Sequence, residues 1–162
     1  MNMKNQIKLL VMDVDGTLTD GRLYIGPDGE VMKAFDVKDG YGLVCFRQAG
    51  GIPAVVTGRQ SRIVEERCRE LGITELMQGV GDKLDCLRAL AEKYHLETEQ
   101  IAYIGDDLGD LDAIRFAGVS ACPADAAEAV RGACTYVCRA PGRRGAVREF
   151  IEYIYGTAFQ QA

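Results

Sequence analysis

Short apolar runs alternate along this chain with longer stretches in which apolar residues recur at helical spacing. The apolar runs predict strands at residues 7–11, 52–56, around 76, 101–104, 119–122 and 135–137. The stretches between them predict helices at residues 41–48, 61–71, 82–94, 108–116, 124–130 and 146–155. This alternation is typical of a parallel sheet flanked by helices, so the predicted fold class is α/β with a Rossmann-like sheet.

Residues 21–36 break the alternation. They predict two short strands around a Gly-Pro-Asp-Gly turn, and so a β-hairpin that projects from the first crossover. The chain has 162 residues and no repeat or low-complexity linker, which predicts a single domain over residues 1–162. A C-terminal tail begins at about residue 140.

Composition and charge narrow the classes of function. The formal net charge of −5 argues against a nucleic-acid-binding protein, whereas a small anionic substrate needs only a few local arginines. There is no run of 18 apolar residues to span a membrane, and the first apolar run is too short for a signal peptide, so we expect a cytoplasmic protein. Six cysteines without a CxxC pair, and one histidine, leave carboxylates, lysine, threonine and a hard metal to carry the chemistry.

Two acidic motifs stand at the ends of predicted strands. Asp13 and Asp15 follow the first strand in Asp-Val-Asp-Gly-Thr, and Asp106 and Asp107 follow the strand at 101–104. Side chains at the carboxyl ends of parallel strands converge on one crevice, so we expect these carboxylates to lie close together. Clustered carboxylates repel one another unless a cation offsets the repulsion. Oxygen-only ligands select Mg²⁺, which is therefore the predicted cofactor.

Two further residues fit a phosphate ester as the substrate. Thr57 ends the strand at 52–56, and Lys83 begins the helix at 82–94. A phosphate beside several carboxylates needs a hydroxyl donor and a cation next to it, and these residues supply both. Each motif taken alone also fits a bland interpretation as a solvated acidic turn, a helix cap or a surface charge.

The order of these elements resembles the haloacid dehalogenase (HAD) superfamily of phosphatases. Its signature is Asp-x-Asp-x-Thr, then a Thr or Ser at the next strand end, then a Lys, then an acidic pair. The match is complete between Asp13 and Asp110. The resemblance implies an HAD-like fold and a Mg²⁺-dependent phosphomonoester hydrolase that works through an aspartyl phosphate.

The resemblance implies a role for each matching residue. Asp13 is the expected nucleophile, and Asp15 is the expected general acid and base. Thr57 is expected to bind a phosphate oxygen, and Lys83 to neutralise the phosphate and orient Asp13. The expected metal site comprises Asp13, the Asp15 backbone carbonyl and Asp106, with Asp107 and Asp110 as outer or water-mediated ligands.

Superfamily members often carry an inserted cap domain, and this chain leaves no room for one. A hairpin and a helix fill the segment between Asp15 and Thr57, and a helix and a strand fill the segment between Thr57 and Lys83. A capless site stays open to water unless another subunit closes it, and a projecting hairpin has exposed edges. We therefore expect a homo-oligomer, with an open monomer acting on large substrates as the alternative.

Longer segments resemble the 3-deoxy-D-manno-octulosonate (KDO) 8-phosphate phosphatases. They include DVDGTLTDGRLYIGPDGEVMKAFDVKDGYGL, VVTGRQSRIVEERCRELGI, QGVGDKL, AYIGDDLGDL and GRRGAVREF, and extend over about residues 7–155. The resemblance implies hydrolysis of KDO 8-phosphate, a phosphorylated sugar acid, in synthesis of the lipopolysaccharide inner core. It also implies a capless tetramer in which a neighbour's hairpin and C-terminal tail close the site.

The same resemblance implies a set of substrate contacts. The expected substrate-binding residues are Gly58, Arg59, Lys38, Asp39 and Arg144. Arg59 is suited to a two-pronged contact with the sugar carboxylate. Arg144 matches a family arginine in the tail, but Arg143 stands where the family usually has a glycine. This departure puts the tail's conformation and its substrate contact in question.

Three alternatives stay open at this stage. A sister branch acts on nine-carbon ulosonate 9-phosphates and tends to carry a different residue at the position of Arg59. Similar domains also occur as catalytically silent assembly or regulatory units fused to sugar-nucleotide synthetases. Phospho-accepting receiver domains use the same residue types, but they place the acidic pair first and the lysine near the end, unlike this chain.

Overall fold

The fold is a six-stranded sheet with helices on both faces. The computed structural model describes residues 7–156. Its sheet has the order β5-β4-β1-β6-β7-β8, and every strand pairing in it is parallel. The strands are β1 (Leu9–Met12), β2 (Tyr24–Gly26), β3 (Gly29–Met32), β4 (Ile52–Val56), β5 (Glu75–Met77), β6 (Ile101–Ile104), β7 (Val119–Cys122) and β8 (Tyr136–Val137). The helices are α1 (Val37–Gln48), α2 (Arg62–Leu71), α3 (Lys83–Tyr94), α4 (Leu111–Phe116), α5 (Glu128–Ala133) and α6 (Ala146–Tyr155). The predicted α/β class is confirmed.

Strand β1 forms the centre of the sheet. It pairs with β4 on one side and β6 on the other, so that Met12 lies beside Val55 and Ile104. All four β1 residues are fully buried, as expected for a central strand covered on both faces. The loops after β1, β4 and β6 therefore open at one edge of the sheet, where the predicted site residues begin.

Alternate β1 residues point into two separate cores. Leu10 and Met12 pack with apolar residues of α1, α2 and α6, whereas Leu9 and Val11 pack with apolar residues of α3, α4 and α5. This alternation follows from the two-residue period of a strand. Buried cores on both faces of the sheet therefore support the carboxyl ends of β1, β4 and β6, where the predicted site residues lie.

The first residues of three helices differ from the sequence-based prediction by three or four positions. Helix α1 begins at Val37 rather than at 41, because the Asp36 side chain caps it by accepting from the Lys38 backbone N–H at 2.6 Å. The helix predicted at 108–116 begins as a 3₁₀ turn at Leu108–Asp110, and α4 follows it. The helix predicted at 124–130 begins only at Glu128, because the preceding residues form a turn after Pro123.

The predicted hairpin is present as a separate two-stranded sheet. Strands β2 and β3 pair antiparallel with each other and lie outside the main sheet. Four large apolar side chains of this segment are 46–62% exposed, namely those of Leu23, Ile25, Val31 and Met32. A hairpin of two strands is marginally stable alone, and exposed apolar side chains of this size favour contact with a partner surface.

The tail loop packs against the loop that follows β1. The Arg143 backbone N–H donates to the Thr17 carbonyl at 3.3 Å, and a Cβ atom on Gly142 would lie 2.1 Å from the Gly16 carbonyl oxygen. Arg143 adopts a left-handed conformation with φ of 65°, and its guanidinium lies 3.6 Å from Asp20. The segment therefore keeps a backbone shape that favours glycine, although an arginine stands there.

Two other predictions concern the C-terminal tail and the membrane. Residues 157–162 of the predicted tail lie outside the described residues. Within residues 7–156, none of the helices combines the length and the apolar character needed to cross a bilayer.

Candidate active site

The loop after β1 presents Asp13 at the edge of the sheet. Its turn depends on Gly16, which has φ of 95° and whose absent Cβ would lie 1.9 Å from an Asp106 carboxylate oxygen. The Thr19 hydroxyl accepts from the Gly16 and Gly21 backbone N–H groups at 3.3 and 3.2 Å. The Asp-Val-Asp-Gly-Thr motif thus folds back tightly enough to bring the loops after β1 and β6 into contact.

Three carboxylates and one lysine converge at this edge. Asp13, Asp106 and Asp110 each offer an oxygen, and these oxygens lie within 4.8 Å of one another. The Lys83 ammonium group lies 2.7 Å from Asp13 Oδ1 and 2.6 Å from Asp110 Oδ1. The side chains of Lys83, Asp13 and Asp110 are 12%, 8% and 1% exposed. The structure therefore joins residues from the first and last predicted motifs in one buried charged cluster.

Asp110 is the most firmly held member of the cluster. Its Oδ1 accepts from Lys83 and from the Tyr103 hydroxyl at 2.6 Å each, and its Oδ2 accepts from the Asp106 and Asp107 backbone N–H groups at 3.0 and 3.1 Å. Four donors leave this carboxylate little capacity for a metal. Asp110 is thus suited to fixing the loop that carries Asp106. Sequence analysis missed Tyr103, because a tyrosine inside an apolar strand looks like a core residue.

Burial and mutual repulsion shift the pKa values within the cluster. Burial raises the pKa of Asp13, against the opposing effect of Lys83. Burial and the adjacent Asp13 raise the pKa of Asp106 to about 8. Burial tends to lower the pKa of Lys83, but the charges of Asp13 and Asp110 raise it above its usual value. One lysine therefore does not balance the charge of three carboxylates, and a further cation would relieve the repulsion.

The donor set fits a hard divalent cation. Asp13 and Asp106 have carboxylate oxygens close together, and Asp106 Oδ1 accepts a hydrogen bond from the neutral Thr17 hydroxyl at 3.1 Å. Carboxylate ligands with room for water and a substrate oxygen are the preference of Mg²⁺. The cluster lacks nitrogen and sulfur ligands, which argues against a zinc-type site among the described residues.

The loop after β4 supplies the next group of predicted residues. Thr57 is 2% exposed, and its backbone N–H donates to the Met77 carbonyl at 2.9 Å. Gly58 and Arg59 are exposed beside it. The Arg59 guanidinium Nε lies 3.9 Å from Asp15 Oδ2, and its side chain is 48% exposed. The structure thus brings the half-exposed Arg59 side chain within ion-pair distance of Asp15.

Asp15 is held from the other side by the hairpin. The Lys33 ammonium group lies 2.5 Å from Asp15 Oδ1 and 2.9 Å from Glu30 Oε1. Burial tends to lower the pKa of Lys33, but hydrogen bonds and charges from Asp15 and Glu30 raise it, so the side chain stays cationic. Sequence analysis missed Lys33 and Glu30; the available signal was a pair of opposite charges three residues apart, on either side of the exposed apolar residues Val31 and Met32.

The remaining predicted residues lie away from the cluster. Asp107 is exposed, and its carboxylate caps the 3₁₀ turn by accepting from the Leu108 backbone N–H at 2.8 Å. Lys38 is exposed in the first turn of α1, and Arg144 is exposed in the tail loop. Among the ion pairs of residues 7–156, neither Lys38 nor Arg144 pairs with Asp13, Asp106 or Asp110.

Asp39 occupies a buried position under the start of α6. Its side chain is almost fully buried, and its Oδ1 accepts from the Arg148 backbone N–H at 2.8 Å. Burial raises the pKa of Asp39 to about 6, against the lowering effect of the backbone N–H groups. This geometry assigns Asp39 a contact that secures α6 to α1, and it leaves no side-chain oxygen at the surface.

Comparisons with known proteins agree with this geometry. A family model described as haloacid dehalogenase-like hydrolase matches residues 69–151. The 3-deoxy-D-manno-octulosonate 8-phosphate phosphatase KdsC of Escherichia coli is 44% identical over 95% of this chain and 82% of its own length. The Moraxella catarrhalis phosphatase of the same name, solved with magnesium, phosphate and KDO, is 43% identical, with a TM-score of 0.92 over 98% of this chain and 90% of its own. The cobalt-bound Haemophilus influenzae phosphatase is 37% identical, with a TM-score of 0.92 over 99% and 92%. This chain therefore belongs to the haloacid dehalogenase-like hydrolases, in the family of the 3-deoxy-D-manno-octulosonate 8-phosphate phosphatases.

Proposed function

We propose that this chain is a Mg²⁺-dependent phosphatase that converts KDO 8-phosphate to KDO and phosphate, in synthesis of the lipopolysaccharide inner core. The observation that carries the proposal is the buried cluster of Asp13, Lys83, Asp106 and Asp110 at the edge of the sheet. Relatives with this name cover nearly the whole chain, which supports the choice of substrate.

In the first half-reaction, Asp13 acts as the nucleophile. One of its carboxylate oxygens attacks phosphorus, an Asp13 O–P bond forms, and the bond from phosphorus to the sugar oxygen breaks. Asp15 gives its proton to that sugar oxygen, so the sugar leaves as a neutral alcohol. Lys83, 2.7 Å from Asp13, keeps the attacking carboxylate ionised and oriented.

In the second half-reaction, Asp15 reverses its role. It accepts a proton from water as the water oxygen attacks phosphorus, and the Asp13 O–P bond breaks. Inorganic phosphate leaves, and both aspartates return to their starting protonation states. The partial exposure of Asp15, whose side chain is 20% accessible, allows the water to reach it.

Charge neutralisation surrounds the phosphate during both steps. Thr57 and Lys83 would contact the phosphate oxygens, and Asp13, Asp106 and the Asp15 backbone carbonyl would hold Mg²⁺, with Asp107 reached through water. Bound Mg²⁺ supplies positive charge to the phosphoryl oxygens and offsets the repulsion among the carboxylates. Phosphoryl transfer depends mainly on positioning and on this neutralisation.

The far end of the substrate carries a carboxylate. We assign its recognition to Arg59, whose exposed guanidinium lies beside Asp15 and can bind a carboxylate with two parallel hydrogen bonds. Gly58 allows close approach of the backbone at the same place, and Lys38 and Arg144 are candidates for outer contacts. A nine-carbon ulosonate 9-phosphate is the alternative substrate, because it also presents a carboxylate and a terminal phosphate.

Phosphate release from a panel of sugar phosphates tests the proposal. We expect rapid release from KDO 8-phosphate with Mg²⁺, much slower release from nine-carbon ulosonate 9-phosphates, and no release after EDTA treatment until Mg²⁺ is restored. Preference for the nine-carbon esters would assign the chain to the sister branch. Inertness toward every ester would favour the silent assembly role, and full activity after exhaustive chelation would contradict the metal requirement.

We further propose that the protein forms a homo-oligomer, a tetramer, through the hairpin. The support is a set of exposed apolar side chains, those of Leu23, Ile25, Val31, Met32 and Val37, of which Val37 is 83% exposed. In the described structure the two hairpin strands pair only with each other. Burying such a surface against a copy would cover the open site.

The six free thiols are compatible with the reducing cytoplasm, where we place the reaction.

Light scattering tests the hairpin as the interface. We expect a tetrameric mass for the unaltered protein and a smaller mass for the double variant Ile25→Lys/Val31→Lys, because two buried lysines would remain unpaired at the interface. Ala89→Lys, on an exposed face of α3, is the matched control and should keep the full mass. A monomer with full activity would contradict the proposal.

A further inference from the structure

Lys33, just after the hairpin strand β3, has a buried charged side chain that the proposed mechanism does not use. Lys33 follows β3, in a segment whose neighbouring apolar side chains are exposed, yet its own side chain is only 2% exposed. Its ammonium group contacts Asp15 Oδ1 at 2.5 Å and Glu30 Oε1 at 2.9 Å. Burying a lysine is costly unless its partners compensate, so the two contacts indicate a defined role.

Glu30 anchors the other end of this network to α2. Its Oε2 accepts a short hydrogen bond from the Ser61 hydroxyl. The same Ser61 oxygen caps α2 by accepting from the Val64 backbone N–H at 3.4 Å, and the Ser61 backbone N–H donates to Gln78 at 2.8 Å. The network therefore connects Asp15, in the loop after β1, with Ser61, the N-cap residue of α2.

Lys33 is poorly placed to bind substrate itself. With 2% exposure and two carboxylate partners, its ammonium group has neither the access nor the free charge that a phosphate or a sugar carboxylate requires. What it does is restrain Asp15. One oxygen of Asp15, Oδ1, is fixed by Lys33, and the other, Oδ2, lies 3.9 Å from the half-exposed Arg59 guanidinium.

We propose that Lys33, braced by Glu30, is a positioning residue that holds Asp15 with Oδ2 directed at the leaving oxygen of the substrate. This inference rests on the proposed function, in which Asp15 is the general acid. A partly exposed aspartate side chain has several accessible rotamers, and a charge-assisted hydrogen bond at one oxygen selects among them. A hairpin-borne lysine would thus set the geometry of proton transfer without touching the substrate.

The chemistry of the leaving group separates this role from a general structural one. A sugar alcohol departs poorly as an alkoxide and needs the proton from Asp15, whereas 4-nitrophenolate departs well without it. The ratio kcat/KM covers the steps up to departure of the leaving group, so hydrolysis of the aspartyl phosphate does not enter it. A misplaced acid should therefore lower kcat/KM for the sugar phosphate far more than for the aryl phosphate.

The test compares Lys33→Met and Lys33→Arg on both substrates. For Lys33→Met we expect kcat/KM on KDO 8-phosphate to fall about 10²-fold, with a much smaller change on 4-nitrophenyl phosphate. Lys33→Arg, which keeps the charge and the donors, should recover part of the loss. Lys93→Met is the matched control. It removes another ion-paired lysine, whose partner at 2.5 Å is Glu75 of the edge strand β5, and it should change neither value of kcat/KM.

Equal losses on both substrates, or no loss on either, would overturn the positioning role. If Lys33→Met does not fold, Glu30→Gln provides the same comparison, because it removes the brace while leaving Lys33 in place. Should the unaltered enzyme reject KDO 8-phosphate and accept another sugar phosphate, the substrate assignment fails, and the leaving-group comparison is then made on the ester it accepts. An enzyme inert to all esters would remove both proposals.

Discussion

The Asp13→Asn variant is expected to lose turnover by at least about 10⁴-fold, the scale seen when a covalent nucleophile is removed. Asparagine matches aspartate in shape but offers no carboxylate oxygen to attack phosphorus. Phosphate release on KDO 8-phosphate with saturating Mg²⁺ measures the effect. The residual rate should be compared with that of Asp112→Asn. Asp112 is an exposed residue of α4 that pairs with Arg115 at 3.4 Å, and this variant should keep full activity.

The same variant should keep its fold. Burial raises the pKa of Asp13, so holding this carboxylate ionised costs the folded protein stability, and in the variant Lys83 retains Asp110 as a partner. We therefore expect a free energy of unfolding no lower than that of the unaltered protein, measured by chemical denaturation. Substantial activity in cleanly purified Asp13→Asn would remove the nucleophile assignment.

The Lys83→Met variant is expected to lose both stability and activity. Lys83 is the ammonium partner of two buried carboxylates, and its removal leaves Asp13, Asp106 and Asp110 together without that charge. Breaking a buried pair by deleting one partner costs several kcal/mol, and we expect a loss of about 3 kcal/mol in the free energy of unfolding without metal. Loss of charge at the phosphate should also lower kcat/KM about 10³-fold.

Mg²⁺ provides the sharper readout for this variant. Added Mg²⁺ should recover more stability in Lys83→Met than in the unaltered protein, because the cation then meets carboxylates that have lost their ammonium partner. Lys93→Met, which breaks an exposed pair with Glu75, is the control and should lose no more than about 1 kcal/mol. Equal stability of the two variants would show that Lys83 does not hold the cluster together.

The two variants address different links between structure and function. Asp13 tests the chemistry at phosphorus, whereas Lys83 tests how the fold tolerates three neighbouring carboxylates. The structure joins the two through a single 2.7 Å contact, so their effects on activity should not be additive. The double variant should be no slower than Asp13→Asn alone, because a missing nucleophile leaves nothing for Lys83 to orient.

The amino-acid sequence was enough to predict the alternation of strands and helices, the hairpin, and the order of Asp13, Thr57, Lys83 and Asp106. These follow from local signals, because the spacing of apolar residues reports burial and parallel strands bring their carboxyl ends to one edge. Resemblance to a known family added the chemistry and the substrate, and comparison with solved relatives supports both. The roles of the individual residues stay predictions until the variants are measured.

The contacts between side chains of the site depend on tertiary packing and could not be predicted from the sequence. Asp107 turns outward to cap a 3₁₀ turn, whereas Asp110 turns inward to Tyr103 and Lys83, although both belong to the same acidic motif. Lys33 lies just after the hairpin, and it meets Asp15 of the loop after β1 across 18 residues of sequence. Beyond the end of a strand there is no periodic pattern to fix side-chain direction, and contacts between distant segments depend on how helices and loops pack. That packing is a property of the whole chain, and no local stretch of sequence encodes it.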